Sequence, residues 1–292
     1  MEKVTIEGVW KEYMRLIIIM LGLGCGSLYA QVNNYTNKKL IKYLYADSQY
    51  LAIKNGIVKQ FAHTPAGRWG EFVKGVNEKI NTDQKIIAFT FDACGGGRMG
   101  NGYDTDLINY LRKEKIPATL FVTGLWIDAN YKTFLELAKD TLFEIENHGL
   151  NHRPCSINGD SAFGIKGTKN IAGAYDEIEG NAEKIKLITG RKPEFFRSAT
   201  AYIDEACVKM ANMLGITVVS FDVLSEDVLP ETSSQTIANN VLKHVKPGSL
   251  VIMHFNRPEN NTFEALQMII PQLGAKEYKF VKLQEYPLKS IR

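Results

Sequence analysis

Ile86-Ile-Ala-Phe-Thr-Phe91 runs without a charge and is followed at once by Asp92. A short apolar run rich in β-branched and aromatic residues fits a strand covered on both faces. The carboxylate stands where that strand would leave the core. The pattern recurs along the chain. Further short apolar strands are predicted at 118–122, 143–147, 195–197, 216–221, 249–253 and 280–283. Between them, apolar residues at three-and-four spacing predict helices at 104–115, 126–139, 171–189, 204–214, 236–245 and 263–273. In 171–189 the stripe is Ala174, Tyr175, Ile178, Ala182 and Ile185. Strands alternating with helices indicate a parallel sheet. The expected fold is therefore α/β, a distorted (β/α) barrel of about seven parallel strands. An open doubly wound sheet would give the same rhythm.

Upstream, residues 31–82 are polar. They carry a broken apolar stripe (Leu40, Ile41, Tyr43, Leu44, Leu51) and the turn-rich Pro65-Ala-Gly67-Arg68-Trp69-Gly70. They are expected to form a mainly helical N-terminal extension, with the barrel domain at 83–288. At the start, Lys11 and Arg15 precede Leu16-Ile-Ile-Ile-Met-Leu-Gly-Leu-Gly-Cys25-Gly-Ser-Leu-Tyr-Ala30. A basic segment, a short apolar core and small residues before a cut after Ala30 describe a signal peptide at 1–30 better than a membrane span. An uncleaved anchor, or a lipoprotein through Cys25, is the lesser alternative. The expected location is secreted or periplasmic, off the membrane once the segment is cleaved.

Composition narrows the function. With 45% hydrophobic and 23% charged residues in 292, global disorder is excluded. A net charge of +3 gives no nucleic-acid footprint. Four cysteines do not make a disulfide scaffold. Cys94, Cys155 and Cys207 remain after residue 30; Cys94 and Cys155 are possible neighbours, and three free thiols are the simpler expectation. No sequence feature reports the oligomeric state.

Sites of parallel β/α folds lie at the C-terminal ends of strands. Asp92 ends the first strand, where a carboxylate can act as a general base, bind a metal or cap a loop. His148 and His152 follow the third strand, four apart, a spacing that on a helical turn puts two imidazoles on one side. Arg197 lies among apolar residues and needs an anion, Asp92 or Asp227, because a buried unpaired guanidinium is costly. Asp222 and Asp227 follow the fifth strand, and His254 ends the sixth. Any one of these has a bland reading as a satisfied core or capping residue; their coincidence at one edge favours chemistry. Gly95-Gly-Gly-Arg-Met-Gly-Asn-Gly102 lacks the phosphate-loop ending and reads as a sharp turn around the site.

Taken in order, Thr90-Phe91-Asp92, His148-x3-His152, Phe195-Phe196-Arg197, Asp227 and Val251-Ile-Met-His254 resemble the polysaccharide deacetylase family, metal-dependent carbohydrate esterases with the NodB-homology fold. The resemblance covers roughly residues 83–285. It implies removal of acetyl groups from a carbohydrate substrate, foremost the N-acetyl of an amino sugar in peptidoglycan or chitin-like oligomers. It implies that Asp92 is the general base, that His254 is the general acid, and that His148 and His152 bind a divalent metal, usually zinc. Arg197 would hold Asp92, and Asp227 would tune His254.

The chain departs from the family pattern at three points. Ala93 stands where most members carry a second Asp, the third metal ligand. Arg197 is followed by Ser198-Ala199-Thr200 instead of x-Pro-Tyr, and Val228 replaces a Trp. Phe91-Asp-Ala-Cys-Gly-Gly96 is similar to one branch of the family. Expected replacements for the lost ligand are, in order, Asp92, Asp104 (or its neighbour Asp106) and Cys94; a metal-free site is the remaining option. Alternatives for the whole protein are a carbohydrate-binding member with a disabled site and a metal-free amidohydrolase. Loops 95–103 and 153–170 would set specificity, with Trp69, Tyr103 and Trp126 as candidate sugar platforms.

Overall fold

The run at 86–91 becomes the middle of the sheet. In the computed structural model, which describes residues 36–229 and 231–291, β1 spans Ile86–Ala93 and is buried along its whole length. The expected signal peptide, with Cys25, lies outside the described residues. The other strands of its eight-stranded sheet are β2 (Ala118–Val122), β3 (Phe143–Asn147), β4 (Phe195–Phe196), β5 (Thr217–Val218), β6 (Val223–Leu224), β7 (Leu250–His254) and β8 (Lys279–Phe280). All pair in parallel, in the order β5-β4-β3-β2-β1-β7-β6, with β8 on the first residues of β1. Parallel pairing requires crossovers, and helices supply them.

The helices are α1 (Asn37–Leu44), α2 (Ser48–Gln60), α3 (Thr105–Glu114), α4 (Gly124–Ala129), α5 (Tyr131–Lys139), α6 (Ile171–Thr189), α7 (Glu205–Met213), α8 (Ser234–His244) and α9 (Thr262–Ala275). None in the described residues is long and apolar enough to cross a membrane.

Of the strand expected at 216–221 only Thr217–Val218 (β5) forms, with β6 following beyond it at Val223–Leu224, and the reason is closure. Its segment leaves one edge of the sheet and joins the other. Val219 N–H donates to Phe196 O on the β4 side at 2.9 Å, and Asp222 N–H to Leu250 O on the β7 side at 3.2 Å. A single straight strand cannot pair with both edges, so it bends between them. Residues 77–80 fill the bend: Ser220 N–H donates to Asn77 O (2.8 Å), and Ile80 N–H to Gly248 O (2.8 Å). The result is a distorted barrel whose core includes Ile80, Ala88, Phe121, Val219, Leu250 and Leu283.

Residues 36 to 291 form one unit. The described part of the segment expected to be an N-terminal extension packs within that unit. Helices α1 and α2 pack on α6, which is why α6 is buried nearly all round, polar residues included. Lys184 on α6 donates to Asn37 Oδ1 (2.6 Å) and Gly124 O (2.9 Å), and pairs with Asp128.

The glycine-rich stretch turns sharply, as expected. Gly95, Gly96 and Gly97 have φ of 70°, 80° and 84°, a region other residues enter at a cost. Gly100 closes the turn with its carbonyl accepting from Gly95 N–H at 3.0 Å. A Cβ at Gly100 would lie 2.3 Å from Gly95 O, against backbone that cannot yield cheaply. Gly100→Ala is expected to lower the melting temperature by about 3 °C or more, read by thermal unfolding.

Candidate active site

Registered parallel strands bring the polar ends together. Asp92 of β1 and His254 of β7 are direct partners across the ladder. Val122 of β2 pairs with Asn147 of β3, and Asn147 with Phe196 of β4. His148 and Arg197 therefore emerge at the same edge, each one residue past a strand end.

Arg197 is fully buried, and it pairs with Asp92, not Asp227. Its Nη1 donates to Asp92 Oδ1 at 2.7 Å, and its Nη2 donates to Thr90 Oγ1 (2.9 Å) and Ser220 O (2.8 Å). The guanidinium lies 4.3 Å from the Phe121 ring centroid, a cation–π contact. With Oδ1 so held, Asp92 Oδ2 is left facing His148 Nε2 at 3.7 Å.

His148 Nδ1 lies 2.9 Å from Arg197 O, so an Nδ1–H donates to that carbonyl and leaves the lone pair on Nε2. Nε2 is 3.9 Å from Cys94 Sγ. His152 joins them by a loop, not by the helical turn its spacing suggested. Gly149 has φ 89° and His152 itself φ 54°, and the two rings end with centroids 5.1 Å apart. Glu177 of α6 holds the strained loop: its Oε1 accepts from Asn151 N–H (2.9 Å) and Arg153 N–H (3.0 Å), one residue to either side of His152. Cys94 Sγ and one ring nitrogen each of His148 and His152 all lie within 4.8 Å of one another. His152 Nε2 is buried without a hydrogen-bond partner, as a nitrogen meant for a cation would be. These residues fit a divalent metal.

His254 lies opposite. Asp227 Oδ1 accepts from its Nδ1–H at 2.9 Å, and Asp227 Oδ2 from its backbone N–H at 2.6 Å. Ser225 and Thr262 hydroxyls donate to the same carboxylate, each at 3.0 Å. Burial opposes a charge on His254, but the facing Asp227 and Cys94 outweigh it and hold the imidazole well above the usual histidine range. For Cys94, burial pushes the thiol up, while His152, His148 and His254 around it more than reverse that and hold it well below the usual range. The cleft thus joins a carboxylate, a thiol poised to ionise and three imidazoles.

Other expectations resolve differently. Asp104, second among the expected replacement ligands, caps α3 through Leu107 N–H (2.9 Å), and Asp106 is exposed on the same helix. Neither belongs to the cluster, and Cys94, ranked last, does. Asp222 is structural: it accepts from Leu250 N–H (2.7 Å) and Ser249 Oγ (2.8 Å). Trp126 is fully buried, its Nε1 donating to Gly102 O at 2.8 Å, so it is core and not a sugar platform. Trp69 is half-buried beside Tyr202 (5.7 Å between centroids), and Tyr103 leans on Trp126. The three cysteines are free, with Cys94 beside the histidines and Cys155 and Cys207 buried. Glu177 was not anticipated; its only signal was a charge next to the apolar stripe of a helix.

Residues 79–219 match the family model described as polysaccharide deacetylase. A peptidoglycan-N-acetylglucosamine deacetylase of Bacillus cereus is 27% identical over 212 residues, which cover 72% of this chain and 92% of the relative. Among solved structures, a family 4 acetyl xylan esterase from Clostridium thermocellum, in complex with a cobalt ion, superposes with a TM-score of 0.56 at 25% identity, covering 69% of this chain and 89% of that one. A CE4 family pseudoenzyme from Bacillus anthracis superposes at 0.60 with 22% identity, covering 72% and 67%, a likeness of fold alone.

Removing Arg197 would leave the Asp92 carboxylate buried without its partner. Arg197→Met is expected to cost about 3–5 kcal/mol in denaturant unfolding. The double variant Arg197→Met/Asp92→Asn should lose less than the sum of the two single changes.

Proposed function

We propose that this chain, whose residues 79–219 match the polysaccharide deacetylase family model, hydrolyses the N-acetyl group of an amino sugar within a glycan such as peptidoglycan. The observation that carries this reading is the ladder pairing of Asp92 with His254. It sets a carboxylate fixed by Arg197 and an imidazole fixed by Asp227 at the same level of neighbouring strands.

Asp92 acts as the general base. Arg197 occupies Oδ1, so Oδ2 takes a proton from the attacking water, whose oxygen adds to the acetyl carbonyl. His148 and His152 would hold a divalent ion, zinc in the first instance, which when bound polarises the acyl oxygen and lowers the pKa of water. The backbone at Thr200 (φ 61°), just past Arg197, is the candidate source of an N–H for the oxyanion, the Ala201 N–H being taken by Ser198 O at 2.8 Å. His254 keeps Nδ1 on Asp227 and gives the proton on Nε2 to the departing amine as the C–N bond breaks. The products are acetate and a free amino sugar. The apolar stretch 16–30 with Lys11 and Arg15 before it supports action outside the cytoplasm, where such glycans are found.

Acetate release from chitin oligomers, peptidoglycan and acetylated xylan tests the assignment. Asp92→Asn and His254→Ala are each expected to slow it by about 10²–10⁴-fold; Asp92→Asn, which leaves Arg197 buried without its anion, should also melt at a lower temperature, with far-UV circular dichroism showing that it still folds. A chelator should abolish release and added zinc or cobalt restore it. Full activity in both variants would refute the assigned roles. Glycan binding without turnover on every substrate would favour a binding protein, the reading that Ala93 motivates.

A further inference from the structure

We propose that Cys94 is the third protein ligand of a Cys-His-His metal centre, in the place where Ala93 offers no donor. The inference rests on the metal-dependent reading above and names a ligand that reading leaves open.

Strand geometry comes first. Side chains two apart on an extended chain share a face. Asp92 faces the cleft from the end of β1, and Ala93 is turned into the core, fully buried. Cys94 therefore returns to the side of Asp92, half-buried, just before the three left-handed glycines carry the chain away. Two histidine nitrogens wait there. His148 Nε2, its other nitrogen committed to Arg197 O, lies 3.9 Å from Sγ. His152 Nε2 is buried and makes no hydrogen bond. A buried polar atom left so is costly, and an ion bound between the three donors would remove that cost. Three protein donors also leave the fourth tetrahedral position open for water or substrate, the arrangement of catalytic zinc sites.

The chemistry of the exchange is coherent. A thiolate brings the same single negative charge that a carboxylate would, so the ligand set keeps its net charge. It is a softer donor, which favours zinc or cobalt over magnesium, calcium or manganese. Asp92 is not needed as a ligand. It stays against Arg197 at 2.7 Å and remains available to take a proton.

Cobalt(II) titration of the metal-free protein tests this. The wild type should develop a near-ultraviolet thiolate-to-cobalt charge-transfer absorption. Cys94→Asp should bind cobalt without that band. Cys94→Ala and Cys94→Ser should lose the band and bind zinc more weakly by about tenfold or more in competition with a chelator; loss of an outer-shell partner alone reaches that size. Asp92→Asn should keep the band. Far-UV circular dichroism and melting curves identify any variant that fails to fold, and the two smaller replacements back each other up. An unchanged spectrum and zinc affinity in Cys94→Ala would overturn the assignment while leaving a metal site at the histidines. A wild type that takes up no cobalt or zinc would overturn both.

Discussion

A fully buried guanidinium organises this protein. Arg197 has no water to solvate its charge, so every strong contact must come from the fold. It finds Asp92 and Thr90 on β1 and Ser220 O on the segment that closes the barrel. One side chain thereby ties its own strand to the middle of the sheet and to the closing bend. Because such a pair is strongly favoured only when both partners are present with good geometry, the barrel is held to the shape that keeps them together.

The same residue sets the chemistry. Its side chain occupies one oxygen of Asp92 and leaves the other toward the histidines; its carbonyl accepts from His148 Nδ1 and turns Nε2 into the cleft. Asp227 does for His254 what Arg197 does for Asp92, and Ser225 and Thr262 hold Asp227 in turn. The two groups proposed to react are thus oriented by charged partners behind them, an arrangement that would suit a proton acceptor and a proton donor facing one small volume.

Loop structure completes the cleft. His152 is held at φ 54° by Glu177, which grips the amides on either side. The glycine turn at 95–97 lets Cys94 follow the end of β1 without the continuing chain filling the space. The His152 loop places backbone strain beside the site and balances it with hydrogen bonds from α6, while the glycines make their turn without strain.

Much was legible in the chain itself. Apolar runs of strand length alternating with amphipathic helices fix a parallel β/α architecture, because burial on two faces permits little else. Asp92, His148, Arg197 and His254 were visible because each follows such a run directly, and strand ends of a parallel sheet meet at one edge. The early end of β5 at Val218 and the separate β6 at 223–224 were not visible, since closure depends on where two distant sheet edges lie. Nor was the choice of Asp92 over Asp227 for Arg197, or of Cys94 over Asp104 beside the histidines. Local sequence sets which residues stand at an edge, through a period of two or of 3.6. Which of them touch is settled by register and loop conformation, and those arise only when residues more than a hundred positions apart pack together.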